Sequence, residues 1–406
     1  MPLAIPRRKG RDWPPALPGR LIHEHAGVDV SASPAALPLD ERLAAAAALV
    51  RPGPALGAWN PLPLARTCPV VLPASGPPPP AMRSRDGAQH PLQAIAEGWL
   101  VQLALPPLAG AALEPLAAPV AGAHWEVSPS VLDNGRVRAE LDPLGRLARL
   151  CWDGVFADLA GPAVDPGDST AAVVAVAEAG PVRARVTVQR DLPGGRLELA
   201  YVLHALDDHL LIAARWLGAG DCWLDHPTRV LSTGVDACER RWASLADAAG
   251  RGLAIAAGSP VEATTSEHGL RVRVGAATAY ALAAPRRGRG LTLGQLAEHL
   301  AVPAQAGAGP IRPAVRLAEP VSLTPLWAAR PEGWDGELLL AEQAGARTRT
   351  WLLADRSRGG ECWKVDATGA PIARCPASPE GDGWQLDAEA GELLRVRWRL
   401  PAATTP

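Results

Sequence analysis

The chain reads as short runs of alternating apolar and polar residues, each closed by a turn. In "VLDNGRVRAELDPLGRLARLCWDG" (131–154), Val137, Ala139 and Leu141 alternate with Arg136, Arg138, Glu140 and Asp142. That period of two predicts a half-buried strand over 136–142. Asp142-Pro143-Leu144-Gly145 then suits a type I turn, since Pro sets φ at the second position and Gly is favoured at the fourth. The returning strand, 146–152, closes on Asp153-Gly154, a second turn signal. "PVRARVTVQRDLPGGRLELAYVLHALDDHLLIAARW" repeats the pattern, with Val182, Ala184, Val186 and Val188 alternating with Arg183, Arg185 and Thr187. Its turns are predicted at the double glycine, Gly194-Gly195, and at Asp207-Asp208.

Comparable runs bounded by Gly, Pro and Asp recur from about residue 54 to the end, which predicts an antiparallel all-β protein. Two segments break the pattern. "PLDERLAAAAALV" (38–50) predicts a helix: it is rich in Ala and Leu, has an acidic first turn, and is stopped by Pro52-Gly53. "TLGQLAEHLAVP" (292–303) predicts a second helix. Residues 1–37, rich in Pro, Arg and Gly and without periodicity, read as an irregular arm.

Composition narrows the picture. A chain of 406 residues has room for two or three domains. A net charge of −2 with pI ≈ 6.5 leaves no polyanion footprint, so nucleic acid is not an expected partner. The six cysteines (68, 151, 222, 238, 362 and 375) form no C-x-x-C pair and no His-Cys cluster. They read as small buried apolar residues of a reducing cytoplasm rather than as zinc ligands. "MPLAIPRRKGRDWPP" has a basic stretch with no apolar segment after it, and no run approaches the roughly 18 apolar residues of a membrane helix. The expected location is cytoplasmic, with no membrane partner.

Several stretches, in order, resemble successive blocks of the C-terminal β-rich half of glycoside hydrolase family 38, the retaining α-mannosidases. They are "AWNPLPLARTCPVVLP" (58–73), "MRSRDGAQHPLQAIAEGWLVQLALPPLAG", the 131–154 hairpin, "GPVRARVTVQRDL", "RWASLADAAGRGLAIA", "LAEHLAVP", "VSLTPLWAARPEGWDGELLLAEQAGAR" and "LLRVRWRLP". Each block alone is ordinary strand-turn-strand text. Their colinear order over roughly residues 40 to 401 carries the resemblance. It implies a large antiparallel β-supersandwich of galactose-mutarotase-like type, with smaller β-sandwich elements and a short N-terminal helix. The implied division is an arm (1–37), a helix resembling the end of the family's helical bundle (38–53) and a first β-subdomain (54–120). The supersandwich (121–290), a helical linker (291–314) and a C-terminal β-sandwich (315–406) follow.

In that family the chemistry belongs to an N-terminal barrel, where a His-x-Asp, a further Asp and a later His hold zinc and one Asp is the nucleophile. A retaining glycosidase needs two carboxylates about 5 Å apart, and a barrel of this kind takes about 250 residues. Fewer than forty residues precede the matched helix. The resemblance therefore implies a chain without its own cofactor and non-catalytic alone: the β-subunit of a split glycoside hydrolase acting on α-mannosides. Zinc is expected only in a barrel-bearing partner polypeptide, and an α-mannoside or related glycan is the expected ligand. The alternatives are a stand-alone carbohydrate-binding module and a mutarotase-like sugar epimerase.

Candidate side chains follow from the same comparison. "WLDHPTRVL" contributes Trp223, Asp225, His226 and Arg229 as a sugar-binding set, because a family loop from the β-half reaches the sugar and arginine grips hydroxyls there. This region is shorter than the family's. "ALDDHL", with His204, Asp207, Asp208 and His209, is either an acid/base cluster or a turn, and turn chemistry accounts for its aspartates. A mutarotase would line a concave face with two histidines and a glutamate; His204, His226, His268 and Glu198 are the candidates, though no spacing singles them out. His23, Glu24 and His25 do not reproduce the His-x-Asp spacing and read as a surface group on the arm. Trp327, Trp334 and Trp384, beside Gly and Pro turns, are either exposed sugar-stacking rings or half-buried core.

Overall fold

The computed structural model describes residues 50–51, 56–60, 65–73, 76–106, 110–122, 125–153, 155–157, 171–227, 235–238, 242–246, 252–258, 261–266, 269–285, 293–301, 304–308, 312–313, 316–317, 323–329, 333–342, 347–354, 360–366, 368–389 and 392–400. The arm and nearly all of the first expected helix lie outside them; Val50, its expected last residue, instead begins a short strand, Val50–Arg51. The chain divides into two compact units. One comprises Thr67–Leu103 and Pro115–Ala301, the other Met1–Arg66, Ala104–Glu114 and Val302–Pro406.

The first unit is built on the expected hairpins. Strands β1 (Val137–Leu141) and β2 (Leu147–Trp152) pair antiparallel, with a bulge at Glu140/Leu141. Val137, Ala139 and Leu141 are buried, as the alternation requires. The Gly145 amide donates to the Asp142 carbonyl at 2.8 Å, and Asp142 Oδ1 accepts from the amides of Leu144 and Arg146. Gly145 has φ of 68°, and a Cβ there would stand 2.6 Å from the Val188 methyls, so only glycine fits. Tyr201 Oη donates to the Gly145 carbonyl at 3.0 Å, tying this turn to the sheet beneath it.

That sheet has eight strands. Its first four are β3 (Ala172–Ala179), β4 (Arg183–Leu192), β5 (Gly195–His204) and β6 (Leu210–Gly218), paired in sequence as a meander. Next to β6 the order departs from the sequence: β9 (Thr278–Ala283) intervenes before Gly252–Ala256, Trp242–Ala246 and Val235–Cys238. The five-stranded sheet of β1 and β2, and a three-stranded sheet containing β7 (Cys222–Pro227) and β8 (Gly269–Val274), share one core with it. Ala184, Val186, Leu197, Tyr201, Ile212 and Tyr280 from the large sheet meet Leu132, Leu150, Leu224 and Val272 from the smaller two. This is the packed-layer arrangement that strands with one apolar face require. The expected second helix forms as α1 (Leu293–Ala301), with Leu293, Leu296 and Ala297 buried at helical spacing.

In the second unit a five-stranded sheet runs in the order Leu323–Ala329, β10 (Gly336–Glu342), β13 (Leu393–Arg399), β11 (Glu361–Val365) and β12 (Pro371–Arg374). A three-stranded sheet of Arg316–Leu317, Thr348–Leu353 and Gly383–Ala388 shares a core with it. Leu338, Leu340, Val396 and Trp398 meet Leu352, Trp384 and Leu386 there. Of the two readings for Trp384, a sugar-stacking ring or core, the structure gives core: it is 2% exposed, because its strand turns that position inward. Among the described residues the fold is all-β apart from α1.

Candidate functional site

The outer face of the large sheet carries a cleft of about 540 Å³. Its geometry follows from register. Thr187 pairs with Ala200, Ala200 with Ala213, and Ala213 with Ala279, so one row of small side chains crosses four strands. The next row on the same face is Gln189, Glu198 and Arg215, and Arg185 stands on the opposite side of the small row. Small residues make the floor of a trough and longer polar ones its walls. Arg185 and Arg215 remain half-exposed, Glu198 less so, and Arg215 Nη1 approaches Glu198 Oε2 at 3.8 Å. Such a trough offers methyl groups to an apolar ligand face and guanidinium, carboxylate and amide groups to hydroxyls. Most glycosidases set two carboxylates across the scissile bond. Glu198 is the one carboxylate among the described residues that line it.

The expected sugar-binding set is divided by the pleat. β7 alternates, so Trp223 and Asp225 face outward while His226 turns in and is 3% exposed. Arg271 of β8 joins the outward pair: its guanidinium carbon lies 5.2 Å from the Trp223 ring centre, and its Nε donates to Asp225. His226 Nε2 is 2.8 Å from Tyr280 Oη, with the two rings edge-on. Arg229 lies outside the described residues. Burial alone lowers the His226 ring to about 4, from an ordinary 6.5. A neutral buried imidazole contributes stability that is whole above pH 6.5 and is lost as pH falls toward 4. Acid unfolding monitored against pH is therefore expected to show a loss of about 3 kcal/mol across that interval, absent from His226→Phe. An identical profile in the variant sinks this assignment.

The described members of the mutarotase set are not brought together. Glu198 lines the trough, whereas His204 and His226 are both buried in the unit's interior, and His268 lies outside the described residues. His23, Glu24 and His25 also lie outside. The Asp207-Asp208 segment is a turn between β5 and β6, as expected, but Asp207 is a buried carboxylate at its centre. Gln102 Nε2 donates to Asp207 Oδ1 at 2.6 Å, while Gln102 Oε1 accepts the Leu206 amide at 2.8 Å. His204 Nδ1 lies 2.9 Å, and His209 Nε2 3.6 Å, from Asp207 Oδ2. Asn134 Nδ2 donates to the carbonyls of His204 and Asp207 at 2.7 and 2.9 Å. Asp207, His204 and His209 are each 5% exposed or less. The group is a polar staple holding the turn.

Ser84, Asp86 and His90 also converge, Ser84 Oγ lying 2.5 Å from Asp86 Oδ1 and 2.9 Å from His90 Nε2. In a nucleophilic relay the acid orients the histidine. Here Asp86 binds the serine instead, and the His90 ring bonds the Gln102 backbone. Arg399 covers one face of the Trp334 ring, its guanidinium carbon 5.0 Å from the ring centre. The side chain of Trp327 is outside the described set. Among the described residues no group of three or more His, Cys, Asp and Glu is arranged to hold a metal ion. No helix among them is long and apolar enough to cross a membrane.

The trough and the Gln102 and Asn134 bonds were not singled out from sequence. Thr187, Ala200 and Ala213 lie on strands linked by short turns, so their row was readable once both turns were placed. Ala279 and Gln102 gave no local signal.

No family model matches the chain, and no curated protein matches it. Ten chains of solved structures do match. Among them is the crystal structure of an alpha-mannosidase from Enterococcus faecalis V583, at a TM-score of 0.55 and 10% sequence identity. The match covers 86% of this chain and 56% of that one. The class defined here is a multi-sheet antiparallel β-sandwich protein, similar in fold to part of an alpha-mannosidase. This chain spans little more than half of that enzyme's length.

Proposed function

We propose that this chain is a carbohydrate-binding β-module of glycosidase type, the β-subunit of a split hydrolase acting on α-mannosides. A saccharide rests in the trough on the outer face of the large sheet, its apolar face on Ala200, Ala213 and Ala279 and its hydroxyls toward Arg185, Gln189, Glu198 and Arg215. The observation that carries this reading is the trough itself, with one carboxylate and two guanidinium groups around a floor of methyls. The fold likeness to an alpha-mannosidase supports the sugar class. Hydrolytic carboxylates and zinc belong, in this reading, to a barrel outside this chain, as in the family its sequence resembles.

Calorimetric titration with methyl α-mannoside and α-linked mannobiose tests the binding. Ala213 is exposed, so Ala213→Trp fills the trough without entering the core. It is expected to weaken binding by at least about tenfold, equivalent to roughly 1.4 kcal/mol. Unchanged affinity in the variant, or no sugar binding by the parent chain, overturns the trough as the site. With an aryl α-mannoside and zinc, the chain alone is expected to give no turnover, and a barrel-bearing partner polypeptide to restore it. Turnover by the chain alone contradicts the non-catalytic reading.

A further inference from the structure

The second unit places two cysteines face to face. Cys362 lies in β11, and Cys375 follows the last residue of β12. The register pairs Trp363 with Arg374 and Lys364 with Ala373, so one step along the ladder Cys362 stands opposite Cys375. The Cys375 amide donates to the Cys362 carbonyl at 2.8 Å, which makes the two a hydrogen-bonded pair. Both side chains enter the same core, at 0% and 4% exposure, and their thiols are hydrogen-bonded to each other. Opposed residues of such a pair have Cα atoms about 5.5 Å apart, inside the range of roughly 4.4–6.8 Å that a disulfide spans. In register, Cys151 lies opposite Arg138 and Phe156, and Cys222 opposite Val274.

A reagent can reach the pair through the edge of the sheet. β12 is the edge strand, four residues long, all exposed, with Ile372 at 67%. None of its four side chains is buried; it is held by its ladder bonds to β11 and by the flanking backbone bonds, the turn before it being tied by Arg395 and Arg397. Local opening at such edges costs far less than global unfolding. Cys375, on the outer side, is uncovered first.

We infer that Cys362 and Cys375 are a disulfide-forming site that reacts with low-molecular-weight disulfides. Cys375 gives its proton to water, and its thiolate attacks one sulfur of the reagent, forming a mixed disulfide and expelling the first reagent thiolate. That thiolate takes the proton of Cys362. The Cys362 sulfur then attacks Cys375, the intramolecular bond forms, and the second reagent thiolate leaves and takes up a proton from water. Two protein thiols are oxidised, and one reagent disulfide is reduced to two thiols. The order of attack agrees with the electrostatics: the Cys362 hydrogen bond and the Lys364 ammonium lower the Cys375 thiol, whereas the Cys375 interaction and burial raise that of Cys362.

The test is intact-mass measurement and peptide mapping of the full chain after treatment with oxidised glutathione. The reduced protein is expected to lose two hydrogen atoms, with one cross-linked peptide joining Cys362 to Cys375. Cys362→Ala is expected to trap a single glutathione on Cys375, because the resolving thiol is gone. Cys375→Ala is expected to remain unmodified at Cys362. An unchanged mass, a bridge between other cysteines, or a persistent glutathione adduct on the parent chain overturns the inference, and these readings on the parent chain do not depend on either variant folding.

Discussion

Replacing Asp207 by Ala is expected to destabilise the first unit by about 2–6 kcal/mol, because two buried donors each lose an acceptor at about 1–3 kcal/mol apiece. Gln102 Nε2 and His204 Nδ1 lose their shared acceptor in a site where neither reaches water, and an unsatisfied buried donor costs its full desolvation. Asp207→Asn keeps the shape and one acceptor oxygen, and is expected to lose less, about 1–3 kcal/mol. The carboxyl also has a pH signature. Burial pushes it up, but the attraction of His209 and His204 and the His204 hydrogen bond outweigh this and hold it at about 2, below its ordinary 3.8. The folded state thus takes up its proton later than the unfolded chain. The contribution is complete above pH 3.8 and is lost as pH falls toward 2, by about 2 kcal/mol. Denaturant unfolding at stepped pH checks both points. A cost under about 1 kcal/mol for Asp207→Ala would place this residue among ordinary exposed turn aspartates.

In the second unit the largest effect is expected at Glu337, which is fully buried in the middle of the sheet. β10 pairs with β13 so that Glu337 faces Arg397, with Arg395 two residues along the same face. Arg395 Nε and Arg397 Nε donate to the two carboxylate oxygens. Arg397 Nη1 also donates to the Gly369 carbonyl at 2.8 Å, and Arg395 Nη1 to the Asp366 carbonyl at 3.4 Å, so the same guanidiniums hold the turn between β11 and β12. Glu337→Ala leaves two nearly buried cations facing each other, at an expected cost of about 3–5 kcal/mol. Replacing all three together, Glu337→Leu with Arg395→Met and Arg397→Met, is expected to recover most of that loss, because no buried charge remains. Equal destabilisation in the single and triple variants would show that the turn contacts, rather than the charge balance, carry the effect.

Legibility in the sequence followed the range of each interaction. Val137, Ala139 and Leu141 announced both a strand and its buried face, because alternation is local and Asp142 to Gly145 closes the hairpin at once. The row from Thr187 to Ala213 was accessible by the same logic, since each short turn sets which residues lie opposite. Ala279 completes that row from 66 positions beyond Ala213, and no local pattern points to it. Cys362 and Cys375 are near in sequence, yet a shift of register at Lys364/Val365 hides their pairing. Asp207 was rightly a turn residue, but its burial comes from Gln102, 105 residues away. Trp384 shows the converse: a neighbouring glycine turn gave no sign that its strand is covered.

By itself the sequence determined the strand-rich class, most hairpins, α1, and which side chains of each strand share a face. These depend on covalent periodicity, turn stereochemistry and helix propensity, which act over a few residues. Only the tertiary structure decided that β9 joins β6, and that the alanine row opens as a trough while His204 and His226 are enclosed. Those choices minimise exposed apolar surface and unsatisfied polar groups over a whole unit, and that sum has no value until distant strands have met.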